Sequence, residues 1–140
     1  MRHLIAIAAP LALAACGAAT ATEDNAEMSE AASTASVALL STAELSSLLE
    51  DGNVRLIDVR RDDEVAQGMI PGAEHIMFDD FDPAALDLSD GREVVLYCRS
   101  GRRSGIAAER LAEYTGKTAR HLDGGIIAWQ DAELPIAQPE

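Results

Sequence analysis

Apolar and polar positions alternate in blocks of changing period from residue 41 onward. Ser41-Thr42-Ala43-Glu44 forms a capping box, Leu45, Leu48 and Leu49 follow at helical spacing, and Gly52 suits the helix end. Residues 54–59, VRLIDV, predict a strand, and residues 62–67 one or two helical turns. A Pro71-Gly72 turn leads into a short predicted strand over 74–78, and Asp82-Pro83 starts a short helix with Asp as N-cap and Pro in the first position. Residues 93–97, EVVLY, are a β-branched run that reads as a buried strand. A helix is predicted over 102–114, with Ala107, Leu111 and Tyr114 on one face and Gly116 beyond its end. Residues 119–122 form another strand, and Gly124-Gly125 opens a last helix over 126–131. This alternation predicts one α/β domain with a mainly parallel central sheet and helices on both faces.

The N-terminus follows a different rule. Arg2 and His3 precede an apolar run of ten residues, Leu4 to Leu13. As a helix that run rises only ~15 Å, about half a bilayer core, so it suits the apolar part of an export signal rather than a membrane span. Its end, Leu13-Ala14-Ala15-Cys16-Gly17, resembles the lipobox of bacterial lipoproteins. That resemblance implies cleavage after residue 15 and acylation of Cys16, with the protein held on a bacterial membrane, facing the periplasm. Residues 16–36 then form a small, polar, acidic tether, and residues 37–137 the folded domain.

Composition narrows the partners. The chain has 140 residues and a net charge of −13 at pH 7, which argues against nucleic acid as a ligand. Two cysteines exclude a multi-disulfide scaffold, and with Cys16 acylated Cys98 is left as a lone thiol in an exported protein. No Cys-x-x-Cys is present, and His75 and His121 have no Cys, His or acid at a metal-ligand spacing. These two histidines read as satisfied strand residues, Trp129 as a packing residue, and the pairs Asp62-Asp63 and Asp79-Asp80 as solvated turns and caps. No metal or cofactor is expected.

The chemistry concentrates in VVLYCRSGRRSG, residues 94–105. A buried strand ends at Cys98, and a loop with Gly101, Arg99, Arg102 and Arg103 leads into a helix. In open α/β sheets ligands bind at the C-terminal ends of strands. A helix start adds unpaired N–H groups and a positive dipole end, so the segment reads as an anion cradle containing a thiol. A free Cys, with a pKa of about 8.5, is only ~3% thiolate at pH 7. The helix end, worth up to ~2 kcal/mol, and the three arginines are expected to lower that value and leave Cys98 ionised and nucleophilic.

Four stretches together resemble the rhodanese family of sulfurtransferases. Leu56-Ile57-Asp58-Val59-Arg60 is similar to its first strand and Asp-x-Arg motif, and Ile70-Pro71-Gly72-Ala73 to its Ile-Pro-Gly-Ala turn. Cys98-Arg99-Ser100-Gly101-Arg102-Arg103-Ser104 is similar to its active-site loop, and residues 122–129, LDGGIIAW, to its last strand, Gly-Gly turn and tryptophan helix. Met69 stands where the family often has His, a position outside the loop.

The resemblance implies a thiosulfate sulfurtransferase. Cys98 takes the outer sulfur of a small anionic donor, becomes a persulfide, and passes the sulfur to cyanide, a thiol or a protein acceptor. The donor is bound by Arg99, Ser100, Gly101, Arg102 and Arg103. The family pattern also turns Arg103 inward, onto Asp58, to hold the loop. Asp58 is then a structural support, and Arg60 either shares that role or is solvated. Two other readings stand beside this one: a carrier or a sulfur- or redox-sensing module that does not turn over, and a Cys-based phosphatase or arsenate reductase. The latter enzymes use Cys-x₅-Arg, whereas Cys98 to Arg103 is Cys-x₄-Arg and position 104 is Ser.

Overall fold

The computed structural model describes residues 35–139; Cys16 and the lipobox lie outside them. The element order is β1 (Ser36–Leu40), α1 (Thr42–Asp51), β2 (Val54–Asp58), α2 (Asp62–Val65), β3 (Glu74–His75), a 3₁₀ turn (Pro83–Ala85), β4 (Glu93–Tyr97), α3 (Arg102–Thr115), β5 (Thr118–Leu122) and α4 (Gly125–Asp131). Five strands form one sheet in the order β1-β5-β4-β2-β3, every pair parallel.

Strand alternation splits the core in two. Leu56, Val95, Tyr97 and Leu122 face α1 and α4, packing with Leu45, Ile126 and Trp129. Ile57, Val94, Leu96 and Ala119 face α3, packing with Ala107, Ala108, Leu111 and Ala112. Cys98 continues β4 and belongs to this second cluster. At about 25 cal/mol per Å² of apolar area, these two buried faces supply the main drive to fold.

The local signals act as their chemistry dictates. Ser41 and Glu44 form the reciprocal capping box of α1, and the Gly52 cap is left-handed at φ 73°. Asp82 accepts the amide of Ala84 at 2.9 Å ahead of the 3₁₀ turn. Trp129 is buried and donates Nε1–H to the Pro135 carbonyl at 2.8 Å.

The strands differ from the sequence pattern in two places. β1 carries no strand signal in the sequence: it lies on the sheet edge, pairs only with β5, and buries only Leu40, so no apolar period marks it. The segment likened to the family's first strand is therefore the second strand here. β3 is shorter than the predicted 74–78. It pairs only with β2, and the chain then turns so that Ile76 and Phe78 pack onto the α3-side core, with the Asp80 amide bonded to the Met77 carbonyl at 2.9 Å.

Candidate active site

β4 ends between β2 and β5, and the loop to α3 leaves the sheet there. Its shape is set from behind. The amide of Ile126 donates to the Cys98 carbonyl at 2.9 Å, and that of Ile127 donates to the Arg99 carbonyl at 3.2 Å. With two successive carbonyls turned toward α4, the amides that follow are free to converge on the sulfur. Gly125 makes this possible: its φ is +60°, and a Cβ there would collide with both carbonyl oxygens. Gly101, at φ 100°, turns the chain into α3 and donates its N–H to Cys98 Sγ at 3.1 Å.

Ser104 completes the sulfur's shell. It is fully buried on the inner face of α3, with Oγ 3.5 Å from Sγ, 3.1 Å from the Gly101 carbonyl and 3.1 Å from His121 Nδ1. A hydroxyl has one proton to give. When that proton points at the sulfur, His121 must be the donor, with its proton on Nδ1. Burial lowers the His121 pKa and so favours this neutral ring, although the carboxylates of Asp123 and Glu109 pull the other way.

Burial pushes the Cys98 thiol up, but hydrogen bonds outweigh it and leave the pKa below the ordinary value. The Ser104 hydroxyl contributes most, followed by the backbone amides of Ser104, Gly101 and Ser100. Of the two expected sources, the helix start and the three arginines, the amides at the helix start reach the sulfur directly, joined by the Ser104 hydroxyl. The charge of Cys98 in turn helps to raise the pKa of Arg103.

Arg103 does not reach Asp58. Its guanidinium makes two 2.8 Å bonds to the Glu64 carboxylate on α2, which lower the Glu64 pKa and raise that of Arg103. Asp58 is already taken: Arg60 binds both its oxygens, with Nη2 at 2.6 Å from Oδ2. Arg60 is only 4% exposed, which excludes the solvated alternative for it. Its other donors close on the carbonyls of Glu64 and Gly68 at 3.0 and 2.6 Å, so it ties β2 to α2 and the following turn. Beneath it the Tyr97 hydroxyl accepts the Ile70 amide at 3.1 Å, and burial with the nearby Asp58 charge holds that phenol well above its usual range.

Cys98 is 1% exposed, and what is open of it lies on the floor of a cavity of about 460 Å³. Arg61, Phe78, Asp79, Ser100, Arg102, Arg103 and Ile106 line the rest. Arg110 stacks on the Phe78 ring, 4.6 Å from its centroid. Of the predicted donor-binding residues, the structure brings Ser100, Arg102 and Arg103 to this cavity and Gly101 to the sulfur itself. Arg99 lines a neighbouring cavity instead. Reasoning from sequence missed Glu64 and the Ser104–His121 pair. The available signal was Ser104 itself, a polar residue interrupting the apolar face of α3. Among the described residues no cluster of His, Cys, Asp or Glu is arranged to hold a metal ion.

Comparison with known proteins agrees with this construction. The chain is 42% identical over 97 residues to the Bacillus subtilis protein YtwF, a match covering 69% of this chain and 93% of that one. It is 40% identical over 93 residues to a sulfurtransferase of Allochromatium vinosum, covering 66% and 87%. A rhodanese-like domain protein of Staphylococcus aureus superposes with a TM-score of 0.61 at 32% identity, covering 73% of this chain and 98% of that one. The family model for the rhodanese-like domain matches residues 41–132, and the chain, with its parallel α/β sheet and cysteine-bearing loop, belongs to that family.

Proposed function

We propose that the protein is a sulfurtransferase that moves sulfane sulfur from thiosulfate, or a donor of the same chemistry, through a persulfide on Cys98. The observation that carries this reading is the sulfur's own shell: a thiol with a lowered pKa, held by the Gly101 amide and the Ser104 hydroxyl on the floor of an arginine-lined cavity. The Cys98 thiolate attacks the outer sulfur of thiosulfate. The donor's S–S bond breaks, and its electron pair leaves with sulfite. The new S–S bond carries a terminal anionic sulfur, which the loop amides and the helix start stabilise. Arg102 and Arg103 balance the donor's charge. An acceptor thiolate or cyanide then attacks the outer sulfur, and Cys98 departs as the thiolate. A human thiosulfate:glutathione sulfurtransferase, 36% identical over 109 residues, supports a thiol acceptor.

Mass spectrometry after thiosulfate treatment tests this, with an added mass of one sulfur on Cys98 expected and none in Cys98→Ser. Turnover of thiosulfate with cyanide or a thiol is expected as well. A stoichiometric persulfide without turnover would instead assign a carrier or sensor, and turnover of a generic phosphate ester with no persulfide would reverse the reading. The Leu13-Ala14-Ala15-Cys16 motif supports placing this activity on an exported protein anchored to a bacterial membrane through Cys16. Acyl chains on an N-terminal Cys16 in the mature protein are the expected mass-spectrometric finding.

A further inference from the structure

Next to the sulfur cavity lies a second cavity of about 660 Å³ that the donor step does not use. Arg61 and Arg103 line both, so the Arg103–Glu64 pair is the partition between them. The loop arginines divide: Arg102 lines only the sulfur cavity, and Arg99 only the second. Arg99 is exposed, and its guanidinium has no ion pair or hydrogen bond to another described residue. Below it Ile126 and Ile127 supply an apolar floor, Ile127 being 39% exposed, and Gln130 adds an amide. The carboxylates on the wall are Asp63 and Glu64, the latter committed to Arg103. Free positive charge in a chain of net −13 therefore sits beside an apolar strip, one partition away from the sulfur.

Position limits what can use this space. Cys98 does not line it, so a molecule as small as thiosulfate bound there is out of reach. A longer molecule can lie in it and extend its thiol past Arg103. The loaded cysteine helps, because its outer sulfur stands about 2 Å beyond Sγ.

We propose that the second cavity is the acceptor subsite and that it selects an anionic, peptide-like thiol. Arg99 takes its carboxylate, Ile127 packs on its aliphatic part, and Gln130 meets its amides. This rests on the persulfide reading above. The bound thiol loses its proton to solvent, its sulfur bonds to the outer persulfide sulfur, and the Cys98 S–S bond breaks with both electrons returning to Sγ.

Two measurements test it. With persulfide-loaded protein, the preference for glutathione over uncharged 2-mercaptoethanol is expected to fall about tenfold in Arg99→Ala, the scale of one charge-assisted hydrogen bond. It is expected to fall also in Ile127→Glu, which places like charge against the ligand. An unchanged preference in both variants overturns the proposal, as does an Arg99→Ala defect confined to persulfide formation from thiosulfate. Independently, S-methylglutathione, which cannot accept sulfur, is titrated into the full chain and into Arg99→Ala. Saturable binding that weakens in the variant upholds the subsite even if no persulfide ever forms, an outcome that would sink the sulfur-transfer reading alone. No binding to the unsubstituted chain overturns the subsite while leaving persulfide chemistry intact.

Discussion

Arg103 and Glu64 stand 39 residues apart in the chain and meet in a two-point ion pair, both bonds at 2.8 Å. The pair joins the first turn of α3 to α2, so it braces the reactive loop from the side while the start of α4 braces it from behind. It leaves Arg103 close enough to feel the charge on Cys98.

Glu64→Gln is expected to cost about 1 kcal/mol, the upper part of the range for partly exposed pairs, and to lower Tm by a few degrees. The Glu64 pKa is depressed in the fold, mainly by its bond to Arg103. Its contribution is therefore present above the ordinary carboxylate value of about 4.3 and is lost as pH falls through the lower folded value. Thermal melts of both proteins across pH should differ at neutrality and converge in acid. A gap that widens in acid would contradict the assignment.

Removing the Ser104 hydroxyl takes away the largest influence holding the Cys98 pKa down. In Ser104→Ala the inflection of iodoacetamide alkylation against pH is expected to move up, toward or beyond the ~8.5 of an ordinary thiol. Alkylation at pH 7 should slow several-fold, in keeping with a hydrogen bond of about 1 kcal/mol. Ser104→Thr, which keeps the hydroxyl, is expected to retain the low inflection.

Asp58→Asn would leave Arg60 as a buried charge without its counterion. Removing one partner of such a pair costs about 3–5 kcal/mol, a large share of the 5–15 kcal/mol that holds a typical domain together. Chemical denaturation should show a much lower midpoint, whereas Asp79→Asn, at an exposed turn, is expected to change little.

Gly125→Ala is expected to displace the loop as well as destabilise it. The positive φ costs roughly 1–2 kcal/mol for a residue with a Cβ, and that Cβ falls on the carbonyl oxygens of Cys98 and Arg99. Protein that remains folded by circular dichroism should alkylate like an ordinary buried thiol, with the low-pH inflection gone. Retention of that inflection would show that the loop's shape does not depend on this close approach.

Much of this molecule could be read from local patterns. The strand VVLY, the Cys-x₄-Arg loop and the Gly-Gly turn each announce themselves within a few residues, because capping, β-branching and left-handed turns are short-range effects. The partners of the charged groups were not legible in that way. Nothing near Arg103 names Glu64, and nothing near Ser104 names His121 on β5. Those pairings follow from which helix face meets which strand. Arg60 sits two residues from Asp58, but only the packing of α2 over the β2 end decides that it is buried with that carboxylate. β1 was invisible because an exposed edge strand needs almost no apolar residues to form.

The sheet's uniform polarity has a further consequence. β1 runs in the same direction as β4, so the chain joins the fold at Ser36, on the pole opposite Cys98. Whatever reaches the sulfur therefore comes in over the C-terminal ends of the strands, on the far side of the sheet from Ser36.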